Sequence, residues 1–289
     1  MKVYIMTDLE GVAGVLNAED WIYRDSRYLD RGQALLAGEV NAAICGLFDA
    51  GADEVVVVDG HGIGINHLLL DKRAEYSKGW HGIGIFGLDE GYDAIIWVGQ
   101  HAKAGSLRSH LAHTGSFDAL EWRFNGTSIG EYGAIVYTAG FYGTPAIFAS
   151  GERAFCDEVK GLTPWAHTVE VKRGVTRDNG ANCSAEEYKK HNLGAVHVHP
   201  EVARERIYNG AKAALLDFKA NPEKFKALCP EPPFTCERWY RRQNGNPAYK
   251  TIMKNRTDVA DAIYGTPDEI LYEGAYEPPY PYVVEENMN

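Results

Sequence analysis

Three short apolar runs, each closing on an acid or a histidine, limit what this chain can fold into more than any other feature. Residues 3–6 lead into Thr7-Asp8-Leu9-Glu10-Gly11, residues 55–58 into Asp59-Gly60-His61-Gly62, and residues 95–98 into Gly99-Gln100-His101-Ala102. Runs this short and this uniformly apolar read as strands buried on both faces, the condition of a parallel sheet. Between the first two, residues 31–50 carry Leu35, Leu36, Ala43, Ile44, Leu47 and Phe48 at helical spacing, and Gly51 supplies the stop. Strand, helix and strand in that order predict a right-handed crossover. The expected class is therefore α/β, a mostly parallel sheet flanked by helices.

The alternation continues through the first half. Residues 121–124 with Asn125-Gly126 read as a strand entering a hairpin turn, and 130–141 as a helix rich in small residues. Residues 145–150 read as a strand and 152–160 as a helix. The second half is less regular. Residues 168–172 alternate like a strand, and 200–218 form a helix that opens on Pro200. Residues 222–239 are rich in Pro and Cys, and the Pro/Tyr tail from Pro278 onward cannot continue a helix. That tail is expected on the surface or against a neighbouring subunit. The expected division is a metal-binding α/β catalytic domain at 1–160 and a smaller α+β C-terminal subdomain at 161–289, carrying substrate-pocket and oligomer contacts.

Composition narrows the function classes. With 289 residues, 45% of them hydrophobic, the chain can bury a large core without staples, so a bound metal would be catalytic rather than structural. A formal charge of −11 weighs against nucleic acid and against anionic membranes as partners. No apolar run approaches transmembrane length, and no basic n-region with a long apolar stretch marks a signal peptide. The five cysteines are scattered without a CxxC pair and read as reduced thiols, which predicts a cytoplasmic protein.

The strand ends carry the chemistry. Sites in open α/β sheets form at the carboxyl edge of the strands. Asp8 and Glu10, two apart, project from one face of an extended segment, and two carboxylates held together repel unless a cation lies between them. His61 and His101 add nitrogen donors, a set suited to zinc and also to Mn, Co or Ni. Asp59 is read as a group that orients an imidazole rather than a ligand. His110 and His113 share the next loop, and either is a candidate proton carrier. Glu131 falls at a helix start, where the dipole favours a carboxylate whatever its role, so spacing alone does not mark it as a ligand.

Five motifs in order then meet a known pattern: Asp8-x-Glu10-Gly11, Asp59-x-His61, Gly99-x-His101-Ala102-x-Ala104-Gly105, Leu111-Ala112-His113-Thr114, and Asn125-Gly126-x-x-x-Gly130-Glu131-x-Gly133. Over roughly residues 1–175 the chain resembles the D-aminopeptidase family of dinuclear zinc peptidases, peptidase family M55. The resemblance implies that Asp8 bridges two zinc ions, with Glu10 and His61 completing one site and His101 and Glu131 the other. It assigns His113 as the catalytic histidine and leaves His110 without a counterpart. It further implies a ring-like homo-oligomer enclosing its active sites. Residues 179–192 and the Arg238–Arg242 stretch depart from the family pattern and leave the substrate open. The expected function is metal-dependent hydrolysis of an amide bond in small peptides or amino-acid amides, with a possible D-preference. The alternatives are a two-metal phosphoester hydrolase and a non-catalytic ring-forming binding protein.

Overall fold

The computed structural model describes residues 1–79 and 84–285. Lys2–Thr7 forms β1, buried except at its start, because its side chains are covered on both faces. After the short helix α1 (Ala18–Trp21), α2 runs from Leu29 to Asp49 and presents Leu36, Val40, Ala43, Ile44 and Leu47 to the core. It returns the chain to β2 (Glu54–Asp59), which pairs with β1 in parallel. The strand β3 (Glu75–Ser77) extends this side, and β4 (Ala94–Gln100) pairs in parallel with the other edge of β1.

The chain then leaves the sheet. The hairpin β5 (Ala119–Phe124) and β6 (Thr127–Ile129) turns through Asn125 and Gly126, both at positive φ, as an Asn-Gly turn requires. The helix α3 (Glu131–Phe141) leads back to β7 (Ala146–Glu152), followed by α4 (Arg153–Leu162) and β8 (His167–Gly174). A single turn, α5 (Ala185–Tyr188), precedes the short antiparallel strand β9 (Ala195–His197) and the long helix α6 (Pro200–Ala220). The last third contributes β10 (Phe234–Tyr240), β11 (Tyr249–Arg256), α7 (Val259–Tyr264) and β12 (Glu269–Tyr272).

Two sheets result. The seven-stranded sheet has the order β3-β2-β1-β4-β7-β8-β9, and the antiparallel five-stranded sheet has the order β12-β11-β10-β5-β6. The fold is thus the expected α/β class, with a largely parallel sheet flanked by helices and a second antiparallel sheet. Strands from beyond residue 161, β8 and β9, complete the large sheet, and β5 and β6 from before it belong to the small one.

Helices α2 and α6 cover one face of the large sheet, where Val3, Ile5, Val55 and Val57 meet Leu36, Ile44, Ile207 and Leu215. Helices α3 and α4 cover the other, where Tyr4 and Trp97 meet Tyr132, Val136, Phe155 and Val159. The small sheet is fastened through α3 and α7, which set Ala134, Tyr137, Ala262 and Ile263 against Trp122, Phe124 and Phe234. The Pro/Tyr tail crosses the surface of its own chain: Tyr280 donates to the Leu120 carbonyl (2.6 Å) and Asn179 to the Pro281 carbonyl (2.9 Å). Among the described residues no helix is long and apolar enough to cross a membrane.

The strand order reverses direction between β1 and β4, the switch point where a crevice opens outside the carboxyl ends. Thr7 is in register with Asp59 on one side and Val98 on the other, so β1 and β2 end level and β4 runs two residues past them. Beyond these ends the backbones stay close. The Gly11 N–H donates to the Gly99 carbonyl (2.7 Å), and a Cβ on Gly11 would lie 2.0 Å from the Gln100 carbonyl oxygen. Gly99 has a φ of +82°, and its Cβ would lie 2.2 Å from the Asp8 carbonyl oxygen. Only glycine permits both the approach and the conformation.

Candidate metal centre

Asp8 and Glu10 follow β1, His61 follows β2, His101 follows β4, and Glu131 opens α3. The crevice brings all five together, with His113, into two adjoining groups: Asp8, Glu10 and His61, and His101, His113 and Glu131. Asp8 faces both. Its Oδ1 lies 3.4 Å from His61 Nδ1 and its Oδ2 3.3 Å from His101 Nε2. His61 Nδ1 also lies 2.9 Å from Glu10 Oε2, and His101 Nε2 lies 3.4 Å from Glu131 Oε2.

Each imidazole is pinned by its other nitrogen to a backbone carbonyl. His61 Nε2 donates to Ile22 (2.9 Å), His101 Nδ1 to Ala102 (2.8 Å) and His113 Nδ1 to Leu111 (2.8 Å). The hydrogen bond fixes the ring with its other nitrogen facing inward, so that loss of the inward proton presents a lone pair, the arrangement of a metal-ligating histidine. Among the described residues, two inward atoms, Glu10 Oε2 and His101 Nε2, are buried without a hydrogen-bond partner. Orphaned polar atoms are rare in folded proteins, and a cation held in each group of donors would account for one of the two. The residues present therefore fit one or more metal ions.

The electrostatics agree. Burial first, and then the charge of Glu10, push the Asp8 carboxyl up. Burial also opposes ionisation of Glu10 and Glu131, but the adjacent imidazolium charges of His61 and His101 outweigh it and hold both carboxyls down. Conversely, burial opposes a charge on His61 and His101, and the carboxylates around them outweigh it. Without metal, the two imidazoles carry the positive charge this anionic pocket demands. His113 differs: burial, then the neighbouring His101 charge, push it down, so it is neutral. It stacks on His101 at 3.9 Å between ring centroids and on Phe117 at 4.4 Å, with Nε2 3.7 Å from Glu131 Oε1 and 4.0 Å from Glu10 Oε1.

Two expected site residues lie elsewhere. Asp59 is fully buried, but it accepts from the Gly62 and Gly64 N–H groups (2.9 and 3.2 Å). It shapes the loop that carries His61, while the Ile22 carbonyl orients the ring, so the expected contact of Asp59 with an imidazole is not the one formed. His110 is turned away from the crevice and donates through Nε2 to the Leu16 carbonyl (3.1 Å). Its ring stands edge-on to His197.

Other residues escaped the sequence reading. Gln100 donates to Asp8 Oδ2 (2.8 Å) and Glu131 Oε2 (3.1 Å), tying together acids from two elements. Its position between Gly99 and His101 at a strand end is a usable signal. Lys172 of β8 is almost wholly buried, and its Nζ donates to the carbonyls of Glu10 and Val15. Glu39 accepts from the Ala13 N–H (2.9 Å) and His197 Nδ1 from the Gly14 N–H (3.1 Å). The loop after the metal-facing acids is thus held by side chains from α2, β8 and β9, and nothing local announces it.

A buried cluster of carboxylates and imidazoles at the switch point of an α/β sheet is the donor set of a metal-dependent enzyme centre. The chain belongs to the D-aminopeptidase family, peptidase M55, whose profile matches residues 1–253. None of the curated proteins matches it. Among solved structures it is similar to the Zn-dependent D-aminopeptidase DppA from Bacillus subtilis, described as a self-compartmentalizing protease. The TM-score is 0.75 over 91% of this chain and 94% of that one, at 21% identity. That likeness is one of fold.

Proposed function

We propose that this protein is a dinuclear zinc aminopeptidase, releasing the N-terminal residue of short peptides or amino-acid amides with a preference for D-residues. One observation carries the reading. Three imidazoles, each fixed from outside by a backbone carbonyl, face Asp8, Glu10 and Glu131, and two inward atoms among them lack any hydrogen-bond partner. Asp8 directs one oxygen to each group of donors, which supports a bridging carboxylate and hence two ions. Zinc, and the D-preference, are supported by family membership and by the zinc dependence of the structural neighbour.

Glu10 and His61 would hold one ion, and His101 and Glu131 the other, with Asp8 between. Bound there, the ions would supply a water of lowered pKa and polarise the scissile carbonyl. Gln100 keeps Asp8 and Glu131 in place through its two donated hydrogen bonds. His113, with Nε2 turned inward beside Glu131, would carry a proton between the attacking water and the leaving nitrogen. The self-compartmentalizing neighbour supports a closed homo-oligomer, and five free thiols support a cytoplasmic location.

The test pairs elemental analysis with hydrolysis of D- and L-amino-acid amides and of nitrophenyl phosphate, with and without chelator. Close to two ions per chain and chelator-sensitive amide hydrolysis are expected. A metal-replete preparation that holds none, or that cleaves only the phosphate ester, overturns the proposal.

A further inference from the structure

A cavity of about 510 Å³ opens beside Asp8, Glu10 and Glu131, a size that suits a small-molecule site. Its lining divides by chemistry. The apolar part of the lining includes Met6, Phe86, Trp122, Ile135 and Tyr264. Phe86 and Trp122 both stand edge-on to Tyr264, with ring centroids 6.0 and 6.2 Å apart. These three rings come from distant parts of the chain: the approach to β4, strand β5 and the end of α7. A charged substituent set against this wall would lose its water without gaining a partner, whereas an apolar one gains on transfer.

The lining also holds Arg24, the one Lys or Arg among its described residues. It is exposed, and no described carboxylate lies within ion-pair distance of it. The turn that carries it is ordered. The Ile22 carbonyl accepts from His61 Nε2 (2.9 Å), Tyr23 N–H donates to Ser26 Oγ (3.0 Å), and Ser26 N–H returns to the Tyr23 carbonyl (3.0 Å). Arg24 is thus two residues from a carbonyl that touches a ring of the metal centre. A cavity of this size suits a di- or tripeptide better than a long chain. On a chain of formal charge −11, a free guanidinium inside a cleft is a local anion site. Its planar fork matches a carboxylate.

We infer that the cavity takes a short peptide with a bulky apolar N-terminal side chain against the Phe86–Trp122–Tyr264 wall and its C-terminal carboxylate on Arg24. The inference rests on the aminopeptidase reading for the position of the amide at the metal centre.

The probes are the reduced-amide isostere of Phe-Gly, in both configurations at Phe, its C-terminal carboxamide, and the isostere of Gly-Gly. Each is titrated calorimetrically into metal-replete protein. The free acid should bind at least about tenfold tighter than the carboxamide, and Arg24→Gln should remove that difference while Arg24→Lys keeps part of it. The Gly-Gly isostere should bind at least about tenfold more weakly than the Phe-Gly isostere. Equal binding of acid and carboxamide, discrimination that survives Arg24→Gln, or Gly-Gly binding as tightly as Phe-Gly overturns the inference. Turnover of the parent peptides separates the two readings. Discrimination without hydrolysis removes the aminopeptidase and leaves the ligand assignment, and hydrolysis without discrimination does the reverse.

Discussion

His110 and His113 stand three residues apart and do opposite things. Leu111 between them sits at φ +56°, a left-handed conformation costly for a branched side chain, and the chain turns there. One imidazole is sent into the crevice and the other beneath it. His110 is fully buried, and burial, then the Lys172 charge, push its pKa down to about 2, so it is a neutral packing group. Three histidines between 101 and 113 look alike in the sequence, which is why the residues alone left the pair open. His113→Ala is expected to lower kcat by about 10²–10⁴ and leave metal content unchanged. His110→Ala is expected to keep kcat within about threefold and to cost about 1–3 kcal/mol of stability. Rates, denaturant midpoints and metal analysis on the same preparations decide it. Metal lost with His113 would make that residue a ligand, and the opposite ranking of rates would exchange their roles.

At the scale of elements, the loop of residues 10–16 explains how two acids can be held where they repel. Lys172 satisfies two of its carbonyls, while Glu39 and His197 receive two of its N–H groups. Burial pulls the Lys172 amine down to about 8 against the pull of Glu152 and Glu39. Those two carboxyls are in turn pushed up by burial to about 7. Lys172→Met leaves the buried Glu10 and Val15 carbonyls without their donor, a change that typically costs about 1–3 kcal/mol. It should also weaken metal binding by at least about tenfold, since the Glu10 carbonyl loses its donor. Metal titration of the folded variant checks this, and native affinity would show that the loop holds itself.

The elements themselves were largely legible. Residues 31–50 and 200–218 read as helices, and the structure forms them over Leu29–Asp49 and Pro200–Ala220. The small sheet beyond β5 was not. Strand β11 keeps Thr251, Ile252 and Met253 buried but exposes Lys254, and β12 is mostly exposed, so neither shows a clean alternation. β12 is an edge strand covered on neither face for most of its length, and β11 buries three residues in a row, so neither carries a period-two apolar pattern.

For the whole molecule, metal uptake is a proton exchange. His61 and His101 are held protonated in the metal-free chain because surrounding carboxylates outweigh burial. Their raised folded-state pKa values mean the protons stay on below those values and must be displaced by the metal. Affinity should therefore fall as pH falls, with the logarithm of the apparent association constant dropping by about one to two per pH unit. The thermal stabilisation conferred by excess metal should fade in parallel. Apparent metal affinity measured from pH 5 to 8 checks this, and a flat profile would mean that the imidazoles are already neutral. By itself the sequence determined that three buried strands each end on an acid or a histidine, because strand burial and the two-residue period are local properties. It also carried the motifs that placed Glu131 and His113. Only the tertiary structure decided which nitrogen of each ring faces inward and which residues brace the acids. It alone built the cavity, from Phe86, Trp122 and Tyr264. Those contacts join residues up to 178 positions apart, as from Phe86 to Tyr264, and a contact at that separation leaves no trace in any local pattern.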